Sequence, residues 1–466
     1  MPQCFRASTL VLALALALAG CAAVGPTYQR PGVDTPVAFK EGQGAWVPAA
    51  PADTLERGPW WSLFGDPVLS GLAERVAVDN QTVAQAVAAY AQARALTAQQ
   101  RASLFPQVNL NLGANRRGAG GDAPNSSSYQ VSIGGSWEPD VWGRLGRGVD
   151  AARAGEQASA ADLAAARLSA QGELAADYFG LRGLDVQRSL LAETIAGYHR
   201  NLQITQNRYS AGIVARTDVL QAQTALANAQ ADALTLERQR ALLEHAIAVL
   251  VGVAPASFSL APESTWAINL PPLPATVPST LLQRRPDIAA AERRVAAANQ
   301  QIGIAQAAYY PSLSLSGSAG LGAATIGELF NASSLVWSLG ASLAQTIFNG
   351  GLTGARVEAA RASSEAAAAR YRQTVLSAFE QVENQLVVAR VLQQQLALRQ
   401  QASQAATLVE QQVLNRYTAG QVSYTEVITA QATALSARRA LVQLQSDRQT
   451  AAVALIQALG GGWAGL

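Results

Sequence analysis

Arg208-Tyr209-Ser210-Ala211-Gly212-Ile213-Val214 returns 208 residues later as Arg416-Tyr417-Thr418-Ala419-Gly420-Gln421-Val422. The same offset carries Thr217-Asp218-Val219 onto Thr425-Glu426-Val427, and Ala222-Gln223 onto Ala430-Gln431. Upstream it carries Val149-Asp150-Ala151-Ala152-Arg153-Ala154 onto Val357-Glu358-Ala359-Ala360-Arg361-Ala362. Phe105-Pro106 and Tyr310-Pro311 match at an offset of 205, so a few residues of insertion or deletion lie between. Matches spread this widely at nearly one offset mark an internal duplication.

Each turn glycine ends a long run suited to helix. From Leu145 to Arg208, and from Leu352 to Arg416, there is no proline and little glycine. Each run predicts a helix of about 60 residues, roughly 90–100 Å at 1.5 Å per residue. A returning helix follows each turn, over Thr217 to Val251 and Thr425 to Leu459. Leu191, Ile195, Tyr198, Leu202, Thr205 and Tyr209 step by four and three, a coiled-coil spacing.

Further upstream each half begins helically, over Gln81 to Ser103 and Asp287 to Ala308, and a proline then stops the helix. There the period changes from 3.6 to 2. Val108, Leu110 and Leu112 alternate with Asn109 and Asn111, and Tyr129, Val131 and Ile133 with Gln130 and Ser132. In the second half Leu313, Leu315 and Leu321 alternate with Ser312, Ser314 and Ser316. Leu335, Trp337, Leu339 and Leu343 end the pattern. Each stretch is about ten residues, the length a tilted strand needs to cross a bilayer. Four strands cannot close a barrel, and open edges are not tolerated in lipid, so membrane strands here require oligomerisation. Two copies give eight strands and a filled interior; three give twelve and room for a pore.

The N-terminus indicates the compartment. Arg6 precedes an apolar stretch from Leu10 to Ala19, too short to span a bilayer as a helix but suited to a signal peptide. It ends in Leu18-Ala19-Gly20-Cys21, similar to a bacterial lipoprotein signal in which Cys21 receives diacylglycerol and an N-acyl chain. Ala22 and Ala23 follow in place of an inner-membrane retention Asp. The expected organisation is a signal peptide over 1–20, an extended tether over 21–59 and a first repeat over 60–254. A Pro-rich connector over 255–285 and a second repeat with a tail over 286–466 complete it.

Composition narrows the chemistry. The formal net charge is +2, which points to no nucleic-acid partner. Charged residues are 14% of the chain, against a usual share of about 25%. Cys4 and Cys21 are its two cysteines, and His199 and His245 its two histidines, so no metal cluster or catalytic centre is expected. Gly143-Arg144-Leu145-Gly146-Arg147-Gly148 has the wrong spacing for a phosphate loop and reads as a strand-to-helix transition.

Several motifs carry a family resemblance: the Cys21 lipobox, Val24-Gly25-Pro26-Thr27-Tyr28, and Trp60-Trp61 with Phe64-Gly65-Asp66-Pro67. Gln283-Arg284-Arg285-Pro286-Asp287, the two Arg-Tyr turns and the ending Ala458-Leu459-Gly460-Gly461-Gly462-Trp463 complete the set. Together they resemble the TolC-like outer membrane factors, in their lipoprotein branch. The resemblance implies a homotrimer with a twelve-stranded outer-membrane barrel continued by a periplasmic helical barrel. It implies passive efflux of drugs or other small molecules delivered by a periplasmic adaptor and a proton-driven, RND-type inner-membrane pump. Ala211, Gly212, Ile213 and Val214, with Ala419, Gly420, Gln421 and Val422, would form the periplasmic tips that meet the adaptor.

Asp218 and Glu426 each lie six residues past a turn glycine, about 9 Å along the returning helix. In a trimer they would place six carboxylates near one constriction, held by hydrogen bonds to Tyr209, Tyr417, Arg208, Arg216 or Arg416. They equally suit a simpler role, complementing the dipole at a helix N-terminus. The chain departs from the family pattern at Val422 and Thr429. Competing expectations are a duct for protein secretion on the same fold, and a lipid-anchored periplasmic coiled-coil scaffold without a pore.

Overall fold

A computed structural model describes residues 23–42, 58–118, 126–266, 269–271 and 285–461. Helices α1 (Pro67–Asp79) and α2 (Gln81–Ala102) lead into strands β1 (Gln107–Arg117) and β2 (Ser126–Trp137). Helix α3 (Arg144–Ser210) and the returning α4 (Arg216–Leu250) complete the first repeat. The second repeat runs α5 (Pro286–Ala307), β3 (Ser312–Ala323), β4 (Leu335–Ala344), α6 (Leu352–Thr418) and α7 (Tyr424–Ala458). Both α3 and α6 contain 67 residues, and both α4 and α7 contain 35, so the duplication is preserved to the residue in the helices. Each expected strand and long helix is present with ends shifted by a few residues. Helix α1 was not expected, although Asp66 followed by Pro67 is a helix-start signature. The Asp66 carboxylate accepts from the Val68 and Leu69 amides at 2.9 and 3.0 Å.

The chain divides into two compact units, and each draws segments from both repeats. The first comprises residues 1–32, 89–160 and 290–373 and holds the sheet. Its strands pair antiparallel in the order β1-β2-β3-β4, leaving β1 and β4 as free edges within the protomer. The base of the sheet is pinned by indoles: Trp137 Nε1 donates to the Leu104 carbonyl at 2.9 Å and Trp142 Nε1 to the Pro311 carbonyl at 2.7 Å. At the transition glycines, the Asp140 carboxylate accepts from the Leu145 and Gly146 amides and caps α3. Residues 23–32 lie along this unit. Gly25 sits at φ +119, where a side chain would run into the Gly303 backbone, and the Tyr28 hydroxyl donates to Glu292.

The second unit comprises residues 33–88, 161–289 and 374–466 and holds the apolar core. Trp60 and Phe64 pack with Leu69, Val76, Leu174, Phe179, Ile247 and Ile456. The Phe64 and Phe179 ring centroids are 4.9 Å apart, and Trp266 lies 5.6 Å from Phe179. The Trp60-Trp61…Phe64-Gly65-Asp66-Pro67 motif is therefore a core wedge that also starts α1. Among the described residues no helix is long and apolar enough to cross a membrane.

Candidate functional site: paired tips and strand wall

The two Arg-Tyr turns close in the same way. Gly212 and Gly420 both sit at φ +75, a left-handed conformation that glycine adopts without steric cost. Gly212 N donates to the Tyr209 carbonyl and Ile213 N to the Arg208 carbonyl, at 2.9 and 2.8 Å. Gly420 N to Tyr417 and Gln421 N to Arg416 repeat the pattern at 3.0 and 2.9 Å. These are the paired bonds of a Schellman C-cap. Ala211, Gly212 and Ile213, and equally Ala419, Gly420 and Gln421, are exposed; Val214 and Val422 are half-buried.

Around this shared geometry the side chains differ. Tyr417 is buried, whereas its repeat equivalent Tyr209 is 46% exposed, so the coiled-coil stripe ends at Thr205. Arg208 crosses from the first repeat to the second, donating to the Tyr417 carbonyl at 3.0 Å with its guanidinium 4.6 Å from the ring centroid. Tyr424, which stands where the first repeat has Arg216, is buried against Tyr417 with ring centroids 5.4 Å apart. Burial pushes the Tyr424 phenol up to about 12; nearby Tyr417 adds to this and a hydrogen bond with Thr205 opposes it. The Tyr417 hydroxyl is itself buried and has no hydrogen-bond partner among the described residues.

The two acids are not equivalent either. Glu426 accepts from the Ser423 amide at 3.4 Å, the return half of a capping box at the start of α7. In the first repeat Ala215 holds the cap position, and the Asp218 carboxylate has no hydrogen bond or ion pair among the described residues of the protomer. Arg216 and Arg416 are exposed. Thr429 is exposed and returns its hydroxyl to the Thr425 carbonyl at 2.9 Å. Within one protomer, then, Arg208 is joined to Tyr417, and neither is joined to Asp218 or Glu426.

The strand register sorts the sheet into two faces. Gln107, Ser136, Ser316 and Gly340 form one rung, Asn109, Gly134, Ser318 and Ser338 the next, and Asn111, Ser132, Gly320 and Val336 a third. Between them, Leu110, Ile133, Ala319 and Trp337 share a rung on the opposite face, as do Leu112, Val131, Leu321 and Leu335. Leu110, Ile133, Trp337 and Leu339 are exposed in the protomer at 63, 55, 72 and 82%. Such a greasy outer face with small polar groups behind it fits hydrocarbon on one side and water on the other. Ser314 bonds Ser342, and Ser318 bonds Ser338, each at 2.8 Å.

Sequence reasoning missed a buried ionic network in the second unit. Asp185 pairs with Arg182 at 3.2 Å and with Arg240 at 2.7 Å, and all three are almost fully buried. The arginines also donate to the Ala261 and Leu260 carbonyls, while Glu244 accepts from the Leu260 amide. The start of the connector is thereby docked onto α3 and α4. Its long-range links, Arg240 to Asp185 and Arg182 to the Ala261 carbonyl, span 55 and 79 residues, and no local pattern betrays them. No group of three or more metal-binding side chains occurs among the described residues. Cys21 and the lipobox lie outside the described residues.

The family model of the outer membrane efflux proteins matches residues 72–253 and 277–461. The pyoverdine export outer membrane protein OpmQ of Pseudomonas aeruginosa is 31% identical, over 90% of this chain and 91% of its own length. A probable outer membrane lipoprotein of Salmonella typhimurium, SilC, is 27% identical over 98% of this chain and 99% of its own. The solved outer-membrane channel OprN superposes with a TM-score of 0.87 at 31% identity, covering 95% of this chain and all of that one. The fold is that of the trimeric outer-membrane channels, mainly α with membrane β, and its function is that of a duct without enzyme activity. The chain belongs to the outer membrane efflux protein family and is an efflux-channel subunit of the outer membrane.

Proposed function

We propose that three copies of this chain form the outer-membrane duct of a tripartite pump, joining β4 of one copy to β1 of the next. The observation that carries this is the sheet with two unpaired edges and an apolar face, an arrangement lipid does not tolerate unless the edges close. The two tips meet a periplasmic adaptor through Ala211 to Val214 and Ala419 to Val422, which present small or apolar side chains beside Gln421. The adaptor in turn links the duct to a proton-driven, RND-type inner-membrane pump, and the duct conducts passively. Cys21 carries the diacylglycerol and N-acyl lipid as an auxiliary anchor, a reading supported by the likeness to SilC.

The gate is built around Asp218, Arg208 and Tyr417, with Tyr209, Arg216, Arg416 and Thr429 lining its approach. Glu426 contributes less, because it already serves the α7 cap. The test is planar-bilayer recording of Asp218→Ala and Glu426→Ala. Asp218→Ala alone should weaken closure and cation preference; unchanged traces for both would remove the acids from the gate. Copurification with the adaptor and pump tests the assembly, and failure of Gly420→Pro to alter it would argue against the tips as contacts.

A further inference from the structure

On the strands, charge is confined to one end. The 45 strand residues include two ionisable charged side chains, Arg116 and Arg117, at the end of β1 farthest from α2. Register separates them: Arg117 continues the polar series Gln107, Asn109, Asn111, Asn115, and pairs with Ser126. Arg116 continues the series of Leu110, Leu112 and Ala114. The rest of the polar face is neutral amide, hydroxyl or glycine apart from Val336 and Ala344, and its serines are partly satisfied by one another. Such a wall offers a passing solute no fixed charge. Arg117 makes no hydrogen bond or ion pair among the described residues. In sequence, the connection between β3 and β4 holds one charge, Glu328, and the one between β1 and β2 holds Asp122, which lies outside the described residues.

We infer that Arg117 sets the charge preference of the duct's exit, favouring anionic solutes over cationic ones. The inference rests on the trimeric barrel. In it, three Arg117 side chains ring the end of a polar strand face that carries no other charge, and charged rings of this kind select ions in pores. The preference is distinct from that of the tips, where the acids lie. It is local, because at physiological salt a charge acts over about 8 Å.

The test reads the exit without needing the tips to open. Asn115→Cys places a thiol two residues inward from Arg117 on the same face, and Ala114→Cys places one on the apolar face. Ser128→Cys, opposite Asn115 on β2, repeats the measurement should the first variant fail to assemble. Whole cells are treated with membrane-impermeant anionic and cationic methanethiosulfonates, and the chain without an added thiol sets the background. The ratio of anionic to cationic labelling at Asn115→Cys should fall at least about threefold with Arg117→Gln and invert with Arg117→Glu. Arg116→Glu, the same charge change on the lipid face, should leave it unaltered. A ratio indifferent to Arg117, or equally sensitive to Arg116, overturns the inference while leaving the barrel intact. Labelling of Ala114→Cys in place of Asn115→Cys overturns the face assignment, and with it the barrel on which the inference rests.

Discussion

Arg208 holds Tyr417 by two contacts at once, a 3.0 Å hydrogen bond to its carbonyl and a cation–π approach of 4.6 Å to its ring. One residue belongs to the first repeat's turn and the other to the second's, so this pair joins the two tips, beside the apolar cluster of Ala222, Tyr417, Tyr424 and Val427. The equivalent pair, Arg416 with Tyr209, is not formed; both are exposed. Duplication supplied two identical turns, and divergence at Arg216 against Tyr424 made one of them the apolar seat of the other.

Arg208→Ala removes both contacts, together on the order of 2 kcal/mol. Open probability in planar bilayers should rise by up to tens of fold. Arg208→Lys should fall between, since an ammonium keeps the charge but loses the planar fork. Wild-type traces from Arg208→Ala would separate this pair from gating.

Asp185 is the acid shared by two buried arginines. Asp185→Ala leaves Arg182 and Arg240 without it, a loss of about 3–5 kcal/mol. The connector should then become cleavable by chymotrypsin at Phe258 or Trp266 in folded protein. Persistent protection would mean that the apolar packing of Trp266 on Phe179 alone secures it.

Asp177 lies on α3 with its carboxyl pushed up to about 6, chiefly by burial and further by Glu173 one turn away. The folded chain therefore holds a proton that the unfolded chain releases near pH 3.8. Stability falls as pH rises through that window, and the full penalty stands above about pH 6. Asp177→Asn should melt higher than wild type at pH 7.5 and equally at pH 3.5, by thermal unfolding in detergent. A gain of the same size at both pH values would point to packing instead of charge.

Much of this was legible beforehand because it is periodic. Alternation at Val108 to Leu112 and Leu335 to Leu343 marked strands, and the recurrence of Arg-Tyr-x-x-Gly located both turns. What escaped notice is not periodic. The Asp185 network joins distant segments, and the burial of Tyr417 beside an exposed Tyr209 depends on Tyr424, a substitution whose effect exists only once the helices pack. The capping box of Ser423 with Glu426, three residues apart at the start of α7, went unread beside the Arg-Tyr turn.

Duplication gives each chain four strands, one third of a twelve-stranded barrel. Native mass spectrometry of the protein released from detergent tests it most directly. Three copies per particle, and hence twelve strands, is the predicted result. A predominant monomer with its β1 and β4 edges free, or a dimer closing only eight strands, would contradict it.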